Sequence, residues 1–176
     1  RTHAADLVVM GWGPDSHNSP GRAESAIDEL TEAVPCDFLI FRDRGFDPSR
    51  ILLPTAGGPD SELSAAVAKL LRTEFDAEIT LLNVDDDREA GEQFLAEWAA
   101  DNGLEDAERL VKSGDVETAI QDATDDATLL LIGATEEGLL RRLVSGSLVL
   151  DVVDGVDCSV LLAEKHRDRG LLERLL

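Results

Sequence analysis

The chain has 176 residues, 43% of them hydrophobic, which is ample for a packed core. Its 37 acidic residues against 16 lysines and arginines give a net charge of −21, which argues against the basic footprint that nucleic-acid binding needs. No apolar run approaches the roughly 18 to 20 residues needed to cross a bilayer, and no cleavable leader opens the chain, so direct membrane insertion is not expected.

In chain order, the first apolar run is "AADLVVMGWG" (4–13), which reads as a strand running into a glycine-bearing loop. It can be laid over "DATLLLIGAT" (126–135) at an offset of 122 residues. The register then holds without a gap, pairing Gly11 with Gly133, Ser25 with Ser147, Cys36 with Cys158 and Leu39 with Leu161. An unbroken register of this kind predicts a duplicated strand–loop–helix–strand unit, the first copy closing on the strand "DFLIF" (37–41). The sequence starts at Arg1 and its one methionine, Met10, lies inside an apolar run, so it reads as a piece of a longer polypeptide.

The second copy has a longer lead-in. "RILLPT" (50–55) is a short buried strand followed by the turn "AGGPD". A helix follows, with Asp60 or Ser61 as its cap and Leu63, Val67, Leu70 and Leu71 along its apolar stripe. "EITLLNV" (78–84) is the next strand; Phe94, Leu95 and Trp98 mark a second helix; "ERLVKSG" (108–114) is a third strand. Asp115 caps a helix that carries Val116, Ala119, Ile120 and Ala123 on one face. "TLLLIG", a helix from about Ser147 to Val153 and "CSVLLA" complete the unit. Strands alternating with helices, the central ones apolar throughout, predict an α/β fold with a doubly wound parallel sheet covered on both faces.

The loop "IGATEEGLLRRLVSGS" (132–147) follows an apolar strand, at the kind of place where open α/β sheets bind ligands. Backbone amides of Gly146 and Ser147, at the start of a helix, suit an anion. Other motifs fail. Gly133 to Gly138 has phosphate-loop spacing, but Leu139 and Leu140 stand where Lys and Ser or Thr belong, and no complete dinucleotide fingerprint is present.

"SGDVETAIQDATDDATLLLIG", with "ILLPT" before it and "GLLRRLVSGSL" and "DCSVLLA" after it, resembles the universal stress protein family over residues 49–164. Residues 4–43 resemble the last third of a second such domain. The resemblance implies a five-stranded parallel sheet of flavodoxin-like order 3-2-1-4-5, as in adenine nucleotide alpha hydrolase-like folds. It divides the chain into a partial copy (1–45), a complete domain (49–165) and a tail (166–176). It further implies an ATP or AMP site, with a divalent cation such as Mg, at Thr55, Ala56, Val84, Ile132, Gly133, Thr135, Glu136, Gly146, Ser147 and Leu148. Two positions depart from the family's pattern: Glu136 occupies the place of the middle glycine, and Ala56 that of an aspartate that meets adenosine. A carboxylate about 4 Å from a phosphate costs about 1 kcal/mol per charge pair at water's dielectric and about 4 at an effective value of 20. High salt or a bridging divalent cation offsets this, and Arg141 and Arg142 lie close in sequence.

No catalytic constellation emerges. None of His3, His17 and His166 has a Cys or Asp at triad or metal spacing in the sequence, and the clusters 85–87 and 125–126 read as solvated turns. A binding module, not an enzyme, is therefore expected, with no metal held by the protein alone. The alternative is a structural or dimerisation module without a nucleotide. The family resemblance implies a homodimer through the final strand, or the same pairing within one chain through "DFLIF". "PTAGGPDSEL" (54–63) behind a truncated copy also resembles cytoplasmic extensions of archaeal amino-acid transporters, which implies an attached membrane domain. Scarce lysine (Lys69, Lys112, Lys165) with acid excess is similar to halophilic proteins, and Cys36 and Cys158, in apolar contexts, read as buried thiols of a reducing cytoplasm.

Overall fold

A computed structural model describes residues 6–11, 36–133, 152 and 155–166. Among these, seven strands form one sheet: β1 (Leu7–Gly11), β2 (Asp37–Arg42), β3 (Arg50–Pro54), β4 (Glu78–Val84), β5 (Glu108–Lys112), β6 (Leu129–Gly133) and β7 (Ser159–Glu164). Three helices connect them: α1 (Pro59–Phe75), α2 (Arg88–Asn102) and α3 (Val116–Ala123), the last running into a 3₁₀ turn over Thr124–Asp126.

The spatial order is β1-β2-β7-β6-β3-β4-β5. Every neighbouring pair is parallel except β2 with β7. The sheet thus has seven strands rather than the five expected, because β1 and β2 continue it beyond β7. β7 lies between β6 and β2, and its partner is the "DFLIF" strand of the same chain.

The interiors of β3, β4, β6 and β7 are apolar because both of their faces are covered. On one face Leu53, Leu81, Leu129, Leu131 and Leu161 pack under α1 and α2, which contribute Ala65, Ala68, Leu95, Trp98 and Ala99. On the other, Leu52, Leu82, Leu130, Val160 and Leu162 pack with Ile120 of α3 and with Val152 and Val156. An aromatic chain secures the connection after β2: Phe46 stacks edge-on against Phe41 and against Phe75 at the end of α1, with centroids 5.7 and 6.2 Å apart.

Helix α1 differs in detail from its sequence reading. It begins at Pro59, with Gly58 in the cap position and no side-chain cap, because the fixed φ of proline suits the first turn. Asp60 and Ser61 therefore lie inside the helix, and the Asp60 carboxylate is buried and accepts the Lys165 backbone N–H at 2.7 Å. Leu70, expected on the apolar stripe, faces solvent; small Ala65 and Ala68 take the buried positions and let the helix approach the strands closely. The expected cap at Asp115 is present, and Asp87, read as part of a solvated turn, caps α2. Asp115 accepts the Thr118 N–H at 2.9 Å, and Asp87 accepts those of Glu89 and Ala90.

Candidate functional site

The order of strands reverses at β3. From it the chain steps outward to β4 and β5, then returns on the other side to β6 and β7. Such a reversal leaves a crevice beyond the carboxyl ends of the strands. Thr55 and Ala56 leave the end of β3, Val84 ends β4, and Ile132 and Gly133 end β6, so the structure brings these five expected site residues to one rim. Thr135, Glu136, Gly146, Ser147 and Leu148 lie outside the described residues, as do Arg141 and Arg142.

Thr55 is buried and held at three points. Its N–H donates to the Leu82 carbonyl at 2.8 Å, its hydroxyl accepts the Gly57 N–H at 3.0 Å, and its carbonyl accepts the Asn83 side-chain amide at 2.9 Å. Ala56 is exposed, and the chain then turns through Gly57 and Gly58 at φ 88° and 89°, a region that side chains other than glycine rarely adopt. The loop is thus rigid at its base and small at its tip.

Gly133 has a packing reason to be glycine. A Cβ there would sit 2.7 Å from the Asp60 carbonyl carbon and the Ser61 nitrogen, so the first turn of α1 lies directly on it. The same turn is tied to the chain beyond β7 through the Lys165 amide, and the Lys165 ammonium lies 3.6 Å from the Glu62 carboxylate. Asn83 is the site residue that sequence reading missed. It is buried one position before Val84, and its Oδ1, 3.1 Å from where a Cβ on Gly91 would sit, has no hydrogen-bond partner among the described residues. A polar residue inside the apolar run "TLLNV" was the available signal.

The aspartates of the cluster 85–87 each hold backbone amides. Asp85 accepts the Asp87 N–H at 2.9 Å, Asp86 the Gly114 N–H at 3.2 Å, and Asp87 caps α2. Two hydrogen bonds from Thr118 hold the Asp115 carboxyl below its usual range, and those from Ser49 do the same for Asp47. Both cysteines are free thiols. Burial pushes Cys36 up, reinforced by the Asp37 and Asp6 carboxylates, and burial likewise raises the half-buried Cys158. A cleft of about 390 Å³ lies at the opposite end of the strands, lined by Arg44, Asp47, Thr124, Asp125, Asp157 and Cys158 among others. Three carboxylates against one guanidinium make it a poor seat for an anion, and it contains none of the expected site residues. Among the described residues no group of three or more His, Cys, Asp or Glu side chains is placed to hold a metal, and no helix is long and apolar enough to cross a membrane.

Residues 88–164 match the model of the universal stress protein family. A comparison with curated proteins gives no match. Among solved structures, a universal stress protein from Archaeoglobus fulgidus DSM 4304 superposes with a TM-score of 0.67 at 17% identity, covering 93% of this chain and 62% of its own. The chain thus spans less than two thirds of that protein's length. A universal stress protein solved in complex with cAMP gives 0.55 at 19% identity, over 68% of this chain and 99% of its own. The protein UspA from Lactobacillus plantarum gives 0.52 at 18%, over 67% and 99%. At these identities the likeness is one of fold. Residues 88–164 carry the sequence pattern of the universal stress protein family, and the chain around them has the fold of solved proteins of that name.

Proposed function

We propose that this chain is a regulatory domain of the universal stress protein kind that binds an adenine nucleotide, ATP or AMP, with a divalent cation such as Mg, and performs no chemistry on it. The observation that carries this reading is the convergence of Thr55, Ala56, Val84 and Gly133 at the reversal of strand order. The solved neighbour in complex with cAMP supports an adenine nucleotide as the class of ligand. The described part of the rim offers a pinned backbone and small side chains, which suit a base and ribose lying against Thr55, Ala56 and Val84. The phosphates would extend past Gly133 toward Thr135, Glu136, Gly146, Ser147 and Leu148. Residues 1–45 are, in this reading, the end of a first unit, and 49–165 a second unit whose strands, counted from β3, follow the order 3-2-1-4-5. Pairing through the final strand is then met within the chain by β2. Joined to a transporter membrane domain, such a unit would regulate transport through differential nucleotide affinity for two transporter states.

Calorimetric titration of ATP, ADP and AMP, with and without magnesium in molar potassium chloride, tests the reading. Micromolar binding that is lost on Gly146→Asp is the expected result. A second reading, a module without a nucleotide, is favoured by one observation: the contact between α1 and Gly133 accounts for that glycine with no ligand. Absence of both heat and thermal shift with all three nucleotides would establish it in place of the first.

A further inference from the structure

β7 has a neighbour on each side, β6 and β2, so its edge is taken. β5 ends the sheet beyond β4, and no strand lies on its outer side among the described residues. The Lys112 carbonyl accepts the Asp85 N–H at 2.9 Å, which turns the backbone of Lys112 toward β4, and with it that of Leu110 and Glu108. Alternation leaves the N–H and C=O groups of Arg109 and Val111 pointing off the sheet, where a further strand would meet them. The side chains are ordered as well. Glu108, Leu110 and Lys112 share one face. Leu110 is half-buried and packs with the layer of Leu82 and Ile120, while Glu108 and Lys112 are exposed, and neither has an ion-pair partner among the described residues.

We propose that the open edge of β5 docks a second copy of this chain, β5 against β5, antiparallel about a two-fold axis at Leu110. In that register Arg109 exchanges backbone hydrogen bonds with the partner's Val111, and Val111 with the partner's Arg109. Leu110 meets its own copy in a non-hydrogen-bonded pair, with Cα atoms about 4.5 Å apart, and carries the apolar layer of Leu82 and Ile120 across the axis. Glu108 then stands opposite the partner's Lys112, and Lys112 opposite the partner's Glu108. Charged side chains on an edge strand ordinarily keep other strands off it. Here their order, an acid at the start and a base at the end, is complemented by the same strand run backwards. A register shifted by one residue turns the bonding groups of the two strands away from each other. A shift by two residues centres the axis on Arg109, which sets like charges face to face, or on Val111, which sets Lys112 against Leu110. Both lose the Glu108–Lys112 pairs. What opposes the pairing is charge. Gly91 of α2 lies on Val111, so the dimer sets α2 and its exposed Glu89, Glu92 and Glu97 beside their copies, at a net charge of −21 per chain. Salt screens that longer-range repulsion more than it does close pairs, so the dimer belongs to high ionic strength.

Sedimentation velocity of the chain over a range of concentrations, at low and at molar potassium chloride, tests the proposal. A reversible dimer that tightens with salt is expected. Lys112→Glu places a carboxylate opposite Glu108 and should raise the dissociation constant by on the order of 10- to 100-fold, and exchanging the two charges, Glu108→Lys together with Lys112→Glu, should bring it back. Cysteine variants read the register. Under oxidation Leu110→Cys should link two copies, whereas Arg109→Cys should link no more than the parent chain, which carries only Cys36 and Cys158. A chain that stays monomeric at every salt and concentration overturns the proposal. A dimer indifferent to Lys112→Glu overturns it too, assigning association to another surface, as does a dimer lost on Lys112→Glu and not restored by the exchange. Linkage through Arg109→Cys in place of Leu110→Cys rejects the axis at Leu110. No nucleotide enters these measurements, so their outcome is separable from that of the binding reading.

Discussion

Ile40 of β2 and Leu162 of β7 face each other at the centre of the antiparallel ladder, and they stand 122 positions apart, the same offset at which "AADLVVMGWG" lies over "DATLLLIGAT". The pairs on either side exchange under that shift: Phe38 with Glu164 maps onto Val160 with Arg42, and Leu39 with Ala163 onto Leu161 with Phe41. A local two-fold axis therefore passes between Ile40 and Leu162. Both side chains are buried in the same apolar layer, so the axis is also a packed contact.

Truncating either residue should be expensive and the two should couple. Ile40→Ala and Leu162→Ala are each expected to cost about 2–5 kcal/mol, with a double-mutant coupling of about 0.5–3 kcal/mol for side chains in contact. Urea denaturation of the two single variants and the double variant measures this. Strict additivity would show that the two side chains do not share a packing site.

Gly11 and Gly133, which end β1 and β6, should respond differently. Gly133→Ala places a methyl group against the α1 backbone and should destabilise by about 1–3 kcal/mol, whereas Gly11→Ala in the chain 1–176 should stay within about 0.5 kcal/mol of the parent. Equal losses would mean that the α1 contact at Gly133 yields freely.

Stability should fall in acid partly through Asp47 and Asp115. Their folded values lie below the ordinary 3.8, so the unfolded state binds protons first. Their contribution is present above 3.8 and is lost as the pH drops through the lower folded values. Asp115→Asn and Asp47→Asn should flatten the acid limb of a stability-versus-pH curve, measured by denaturant midpoints. An unchanged limb would remove these two aspartates from the account.

At the alkaline end the sign inverts. The Cys36 and Cys158 thiols titrate above 9.0 in the folded chain, so the native state holds its protons longer and stability declines as pH rises past 9.0. Cys36→Ala should weaken that decline, and native Cys36 should react with a thiol reagent only as fast as the chain opens. Rapid reaction at neutral pH would contradict its burial.

Self-repulsion at a net charge of −21 should make the chain salt-dependent, with a melting temperature that rises steadily as potassium chloride is raised toward molar concentration. A flat salt response would show that the acidic residues are spaced or paired well enough to need no screening.

Strands were the most legible part of the fold. Largely apolar runs such as "TLLLIG" and "ITLLNV" read as strands buried on both faces, and an offset of 122 residues lays β1 over β6 and β2 over β7, two parallel pairs of the same register. Helix caps at Asp115 could be read directly because the aspartate side chain is itself the cap. The start of α1 could not. Pro59 and Gly58 set it through backbone geometry, while Asp60 is drawn to an amide 105 residues away, a contact that no local pattern encodes. The same limit hid Asn83, whose value lies in reaching the Thr55 carbonyl on the neighbouring strand. Gly133 was legible as special, but the α1 backbone that explains it became visible only in three dimensions.

Because strand direction reverses once, between β2 and β7, β1 and β2 finish on the rim where β3, β6 and β7 begin. The carboxyl ends of β1 and β2 therefore face the opposite way from those of β3, β6 and β7, and the edge at which Thr55 and Gly133 lie is met by the beginnings of β1 and β2 instead.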